Sequence, residues 1–141
     1  YGLDAGSAYA EAGANGIPFA QLARYAELRW ESYRRAGLKV VPWVTSGWDP
    51  RPRIETLIPW HTYDPNGWAQ PGTPEEIAAH LQHAVLWSAD HPDAAEAQSI
   101  IIYAWNEFDE GGWLCPTLRD GTARLDALAP ILRPAGGSDA Q

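Results

Sequence analysis

The sequence predicts an α/β fold in which helices flank a parallel sheet. Three segments with the apolar spacing of an amphipathic helix alternate with two short apolar runs that are typical of buried strands. The chain has 141 residues, of which 45% are hydrophobic, so it can bury a core. Strands that alternate with helices indicate a parallel sheet with right-handed crossovers.

The first helix is predicted over residues 19–36. It follows a stretch rich in Gly and Ala, residues 1–18, which reads as a loop with the end of an earlier strand at residues 1–3. Pro18 before the helix and Gly37 after it are typical start and stop signals. The apolar face consists of Phe19, Leu22, Ala23, Ala26, Trp30 and Tyr33.

Two apolar runs predict strands that are buried on both faces, as in a parallel sheet. The first covers residues 38–45 and the second residues 99–104. Pro42 lies inside the first run, where a proline removes a hydrogen bond of the ladder, so we expect a bulge or early fraying there. Trp43 is expected in the core.

Two further helices are predicted. Thr73 and Glu76 have the spacing of a capping box, so a helix should begin there and run to about Asp90, before Pro92. The last helix passes through Leu125 and Leu128, and Pro130 should end or kink it.

Two strands alone do not make a stable sheet. A complete (β/α)8 barrel needs about 250 residues. Residues 1–134 are therefore predicted to supply at most the last two or three βα units of such a barrel, its C-terminal part. Residues 135–141 are predicted to be a flexible tail.

Composition excludes several classes of partner. The formal charge of −8 and the lack of a Lys/Arg-rich run argue against a nucleic acid or an anionic membrane, and a neutral ligand fits better. No apolar run reaches the roughly 20 residues that span a bilayer. The single Cys115 leaves the redox compartment open. The chain begins at Tyr1 and contains no methionine or signal peptide, so we expect a processed chain or a piece of a longer one, for which a secreted or periplasmic location fits.

The loop after the second predicted strand carries the strongest functional signal. In parallel α/β folds the active site is built by loops at the carboxyl ends of strands. Glu107 and Glu110 lie there, and cleavage of a glycosidic bond usually needs two carboxyl groups. Asn106 is a candidate ligand for a sugar hydroxyl, and Trp105 and Trp113 are candidates for stacking on sugar rings. The alternative is an acidic, solvated turn.

The loop over residues 46–72 is long enough to be functional. Asp49 and Arg53 either bind sugar hydroxyls or form a salt bridge that orders the loop. Trp48 and Trp60 either line sugar subsites or pack beneath the loop.

A metal site is not predicted. His80 and His83 are three residues apart on a helix, a spacing that can bind metal, but no carboxylate or cysteine partner is evident in the sequence. An exposed helix face explains both histidines better.

The two strand-end motifs together suggest a family. Trp105 followed by Asn106-Glu107-x-x-Glu110-Gly111 resembles the catalytic segment of glycoside hydrolase family 99 and of the related WbsX-like polysaccharide proteins. Gly47-Trp48-Asp49 with Arg53 resembles the preceding strand-end loop of that group. The resemblance covers roughly residues 19–132.

The resemblance implies a fold and a mechanism, with residues 1–134 as the C-terminal part of a catalytic domain. Members of family 99 are (β/α)8 barrel enzymes that act within α-mannose-containing glycans with retention of configuration. By this resemblance Glu110 is expected to be the general acid/base. Glu107 is expected to assist the substrate's own 2-hydroxyl in attacking the anomeric carbon, which gives an anhydro-sugar intermediate. The sequence departs from the family at Phe108-Asp109, where the hydrolases usually show an aromatic residue followed by histidine, and at residues 114–116, which replace a more polar continuation.

Three functions stay open at this point. The first is a glycosidase for an α-linked, mannose-type glycan, and the second is a carbohydrate-binding remnant that performs no reaction. The third is a glycosyltransferase-like protein, because WbsX-like relatives occur in polysaccharide biosynthesis contexts. No metal or organic cofactor is expected, and the partners are an oligosaccharide or polysaccharide. Exposed strand edges also predict pairing with the missing half of the barrel or self-association.

Overall fold

The computed structural model describes residues 4–56, 58–59 and 61–133. Its helices are α1 (Phe19–Arg35), α2 (Arg51–Glu55), α3 (Pro74–Asp90) and α4 (Ala123–Leu132). Its strands are β1 (Trp43–Thr45), β2 (Ile101–Tyr103), β3 (Asn106–Glu107) and β4 (Gly112–Trp113), and a 3₁₀ helix (Phe108–Glu110) joins the last two strands. The predicted strand at residues 1–3 and the predicted tail at 135–141 lie outside the described residues.

Strands β1 and β2 are parallel neighbours. Trp43 stands opposite Ile101, and Thr45 stands opposite Tyr103. Helix α3 lies in the chain between the two strands, as a parallel connection requires. These are the elements of a βα repeat, and the complete barrel stays a prediction.

Both strands of this pair are shorter than predicted. β1 begins only after Pro42, which has no N–H to donate, and Val40 forms a single parallel bridge to Gly6. The expected fraying at Pro42 is therefore observed. The prediction that the second strand is buried on both faces is wrong at Ile101, which is 44% exposed, whereas all three residues of β1 are buried.

The helices follow local signals closely. In α1 the buried side chains keep the predicted spacing, and Thr73 and Glu76 form both hydrogen bonds of the capping box of α3. Helix α4 continues through Pro130 to Leu132, so the proline does not end the helix where it stands. Pro130 has no N–H to donate to the carbonyl of Asp126, four residues earlier, so the helix lacks this one hydrogen bond.

The core lies between α1, β1 and α3. Trp30 of α1 makes an edge contact with Trp43 of β1, with 6.3 Å between the ring centroids. The same indole stacks on His80 of α3, with centroids 5.4 Å apart and planes 4° apart. Trp43 is fully buried, as expected. No described helix is long and apolar enough to cross a membrane.

Candidate active site

Two loops meet at the carboxyl ends of β1 and β2. The backbone N–H of Ser46 donates to the carbonyl of Tyr103 at 2.7 Å, and that of Asp49 donates to the carbonyl of Glu110 at 2.6 Å. Gly47 and Gly111 lie against each other in this contact, and both have positive φ angles, 149° and 75°. A side chain at Gly47 would meet the Gly111 carbonyl, so glycine is needed for the two loops to approach.

Glu110 is the buried carboxylate of the site. The whole residue is only 4% exposed, and it is the last residue of the 3₁₀ helix. Oε1 accepts hydrogen bonds from Arg53 Nη1 and from the Tyr63 hydroxyl, both at 2.5 Å. Oε2 accepts a hydrogen bond from the Tyr103 hydroxyl at 2.6 Å. Both oxygens thus accept from donors that the surrounding fold supplies.

Glu107 is the more accessible member of the pair, with a side chain that is 31% exposed. Its Oε2 accepts from Arg53 Nη2 at 3.2 Å, and its Oε1 accepts from the Tyr9 hydroxyl at 3.2 Å. Arg53 therefore touches both predicted catalytic glutamates with the two terminal nitrogens of one guanidinium.

Asp109 completes the acidic side of the cluster. Its Oδ2 accepts from Arg53 Nε at 2.7 Å and its Oδ1 from Arg53 Nη2 at 3.2 Å. The ion pair lowers the pKa of Asp109 and raises the pKa of Arg53 further above its usual range. Arg53 stays charged and carries one positive charge among three carboxylates.

The tyrosines remain hydroxyl donors at neutral pH. Burial and the hydrogen bond to Glu110 raise the pKa of both Tyr63 and Tyr103. Burial and the neighbouring Glu107 raise the pKa of Tyr9. Each raised value disfavours a phenolate beside the carboxylates.

The predicted ligands of the first loop have other partners. Asp49 forms a two-point ion pair with Arg51, at 2.7 and 2.6 Å, and does not pair with Arg53. The Arg51 guanidinium in turn lies 3.6 Å from the centre of the Trp68 ring. Trp48 packs its ring near the rings of Tyr103 and Tyr63, 6.0 and 6.3 Å away, so it supports the two tyrosines that bond Glu110. Trp60 lies outside the described residues.

The candidate sugar ligands of the second loop, which are Trp105, Asn106 and Trp113, lie in different environments. In the β3–β4 pair Asn106 stands opposite Trp113, and Glu107 stands opposite Gly112. Because neighbouring residues in a strand point to opposite faces, Asn106 and Trp113 lie on the face away from Glu107. Trp105 is 56% exposed.

Trp113 is held by a buried arginine of α4. The Arg124 guanidinium lies 3.9 Å from the centre of the Trp113 ring and donates to the Trp113 carbonyl at 2.6 Å. It also donates to the carbonyls of Ser46 and Gly72 at 3.2 and 3.3 Å. Arg124 therefore ties the start of α4 to the loops that follow both parallel strands, and it covers one face of the indole.

Sequence reasoning missed four residues of this cluster. Tyr9, Tyr63, Tyr103 and Asp109 contact the glutamates or Arg53, although none of them was assigned a role. Tyr103 is the last residue of β2, so its strand-end position was a usable signal. The sequence contains no comparable signal for Tyr9 or Tyr63.

The helical histidines differ from the sequence interpretation. His80 is buried against Trp30, so an exposed face explains only His83. Glu27 of α1 supplies a carboxylate that the sequence spacing hides, 2.7 Å from His83 Nδ1 and 3.6 Å from His80 Nδ1. Among the described residues no group of three or more His, Cys, Asp or Glu is arranged to hold a metal ion.

Comparison of the chain with protein-family models, with curated proteins and with solved structures finds no match.

Proposed function

We propose that this chain is the C-terminal part of a (β/α)8 barrel glycosidase similar to glycoside hydrolase family 99 and the WbsX-like proteins. The observation that carries the proposal is the convergence of Glu107 and Glu110 on one guanidinium, that of Arg53, in the loop after β2. Loops at this edge of a parallel sheet are where α/β enzymes build their active sites. A pair of carboxyl groups at this place suits cleavage of a glycosidic bond.

The proposed reaction is retaining cleavage of an α-linked, mannose-type glycan with participation of the substrate's 2-hydroxyl. That hydroxyl attacks the anomeric carbon while one glutamate removes its proton. The bond to the leaving oxygen breaks, and the other glutamate protonates that oxygen. Water then opens the anhydro sugar and restores both glutamates. By the resemblance Glu107 assists the 2-hydroxyl and Glu110 is the general acid/base.

The hydrogen bonds of Glu110 set a condition on this role. Arg53, Tyr63 and Tyr103 all donate to it, which is the arrangement of a carboxylate. A general acid must carry a proton. Glu110 must therefore take up a proton before the leaving oxygen is protonated. Oε1 accepts two of the three hydrogen bonds and Oε2 accepts one, so Oε2 is the oxygen with room for that proton.

The same observation favours a second candidate function. A carboxylate that is held by three donors can bind sugar hydroxyls without taking part in proton transfer. A carbohydrate-binding remnant would keep this arrangement and release no product.

The proposal requires further strands to complete the barrel. The edge position and exposure of Ile101 on β2 support a role for this edge in pairing. The partner is either the rest of the barrel or a second copy of the chain.

The test combines calorimetry with a product assay on α-mannose oligosaccharides, using the full protein that carries this sequence. We expect the wild type to bind and cleave, and Glu110→Gln to bind with a similar Kd while turnover is lost. Glu55→Gln removes a charge from the exposed end of α2 and is the matched control, which should cleave like the wild type.

Three results would contradict the glycosidase. Binding without product in the wild type supports the binding remnant, and turnover that requires an activated sugar donor supports a transferase. Unchanged turnover in Glu110→Gln contradicts the glycosidase assignment, because the proposed mechanism requires Glu110 as its general acid/base.

A further inference from the structure

The Arg53 guanidinium has no N–H left for a ligand. Arginine offers five N–H donors. Nε bonds Asp109, Nη1 bonds Tyr63 and Glu110, and Nη2 bonds Glu107 and Asp109. The five contacts match the five donors, so a sugar hydroxyl could bind Arg53 only by displacing a partner.

Asp109 is the partner that contacts the guanidinium of Arg53 at two of its nitrogens. It contacts two nitrogens of one edge, Nε and Nη2, through both of its oxygens. Such a two-point pair defines the plane and the direction of the guanidinium by itself, which none of the single contacts with Tyr63, Glu107 or Glu110 does alone. The remaining nitrogen, Nη1, is then directed at Glu110.

Arg53 bonds two adjacent residues of the chain, Asp109 and Glu110. Asp109 immediately precedes Glu110 in the 3₁₀ helix, so the short element that carries the buried glutamate also anchors the cation that holds it. Asp109 itself is 54% exposed and adds little to the core. Its two contacts with Arg53 are therefore its main structural contribution.

We propose that Asp109 is a positioning residue, which fixes Arg53 so that this guanidinium clamps Glu107 and Glu110 in place. The inference rests on the proposed function in one respect, which is that these glutamates carry the reaction. Arg53, a candidate ligand for sugar hydroxyls in the sequence, is then a clamp on the glutamate pair and not a sugar ligand.

The test uses Asp109→Asn, which keeps the shape of the side chain and removes its charge. The first readout is hydrogen exchange of the Arg53 Nε–H, followed by NMR on the protein with labelled arginine. We expect exchange to become at least about tenfold faster in Asp109→Asn, because the amide has no negative charge and only one acceptor oxygen, so the two-point ion pair cannot form. Asp109→Glu keeps a carboxylate and should retain most of the protection, and the control Glu55→Gln should retain all of it.

The second readout is steady-state kinetics on the glycan that the wild type cleaves. A misplaced glutamate pair lowers kcat by about 10- to 100-fold in Asp109→Asn and changes KM by less than about threefold. A sugar ligand would show the reverse, a raised KM with kcat preserved.

The outcomes separate this inference from the proposed function. Unchanged Nε–H exchange in Asp109→Asn overturns the clamp, and so does equal loss of protection in Asp109→Glu. A raised KM with normal kcat overturns it as well. A wild type that neither binds nor cleaves glycans overturns the proposed function, while the exchange measurement still decides whether Asp109 fixes Arg53.

Discussion

The hydroxyl of Tyr103 donates a 2.6 Å hydrogen bond to Oε2 of Glu110, and both residues are buried, at 2% and 4% exposure. The bond joins the last residue of β2 to the carboxylate at the end of the 3₁₀ helix that follows. Burial and the carboxylate raise the pKa of Tyr103, so the hydroxyl keeps its proton in the neutral range. Glu110 is thus held in part by the strand that places it.

Removal of this hydroxyl is predicted to destabilise the protein. Tyr103→Phe leaves Oε2 of a buried carboxylate without this donor, which costs about 1–3 kcal/mol in the free energy of unfolding. Urea denaturation at pH 7 measures the difference. Tyr25→Phe is the control, because its hydroxyl accepts from Gln21 on α1, away from the site, and the change should stay within about 0.5 kcal/mol. Equal effects of the two substitutions would show that the Tyr103 bond does not stabilise the fold.

The lowered pKa of Glu27 predicts that the folded protein loses stability in acid. The nearby His80 on α3, 3.6 Å away, and hydrogen bonds with His83 and Arg24 lower the pKa of Glu27 to about 2. A carboxyl whose pKa is lower in the folded state stabilises the fold above its unfolded value, and this contribution is lost as pH falls through the folded value. Glu27→Gln should therefore be less stable than the wild type by about 1–3 kcal/mol at pH 6.

Denaturation of both proteins between pH 6 and pH 2 checks the sign for Glu27. The two stabilities should converge below about pH 4.5 as the wild-type carboxyl takes up its proton. A difference that stays constant over this range would mean that the charge of Glu27 is not what stabilises the contact between α1 and α3.

The raised pKa of Glu11 predicts the opposite dependence of stability on pH. Burial raises its pKa, and Arg29, 3.3 Å away, offsets this only in part. Its Oε2 has no hydrogen-bond partner among the described residues. A carboxyl with a raised folded pKa binds its proton more tightly in the folded state, so stability falls as pH rises from the unfolded value through the folded one.

The variant Glu11→Gln does not ionise and should escape this loss. Its free energy of unfolding, relative to the wild type, should rise between pH 4 and pH 7 by about 1.4 kcal/mol for each unit by which the pKa is raised. Thermal or urea denaturation across this range gives the slope. A flat or falling difference would refute the destabilising charge at Glu11.

Local signals explain why much of the secondary structure could be predicted. The spacing of Phe19, Leu22 and Trp30 and the capping box of Thr73 depend on residues three or four positions apart, and α1 and α3 begin where these signals place them. The burial of the strands was less predictable. Whether Ile101 is buried depends on which elements cover β2 and not on its own neighbours in the chain.

By itself the sequence determined that Glu107 and Glu110 follow a strand and that Arg53 lies in the loop after the previous one. Only the tertiary structure decided their partners, since Arg53 is 57 residues from Glu110, Tyr63 is 47 from it, and Tyr9 is 98 from Glu107. Contacts over such separations depend on how the strands and loops pack, and no local pattern encodes them. For the same reason the structure assigned Asp49 to Arg51, placed Trp113 on Arg124, and brought Asp109 to Arg53.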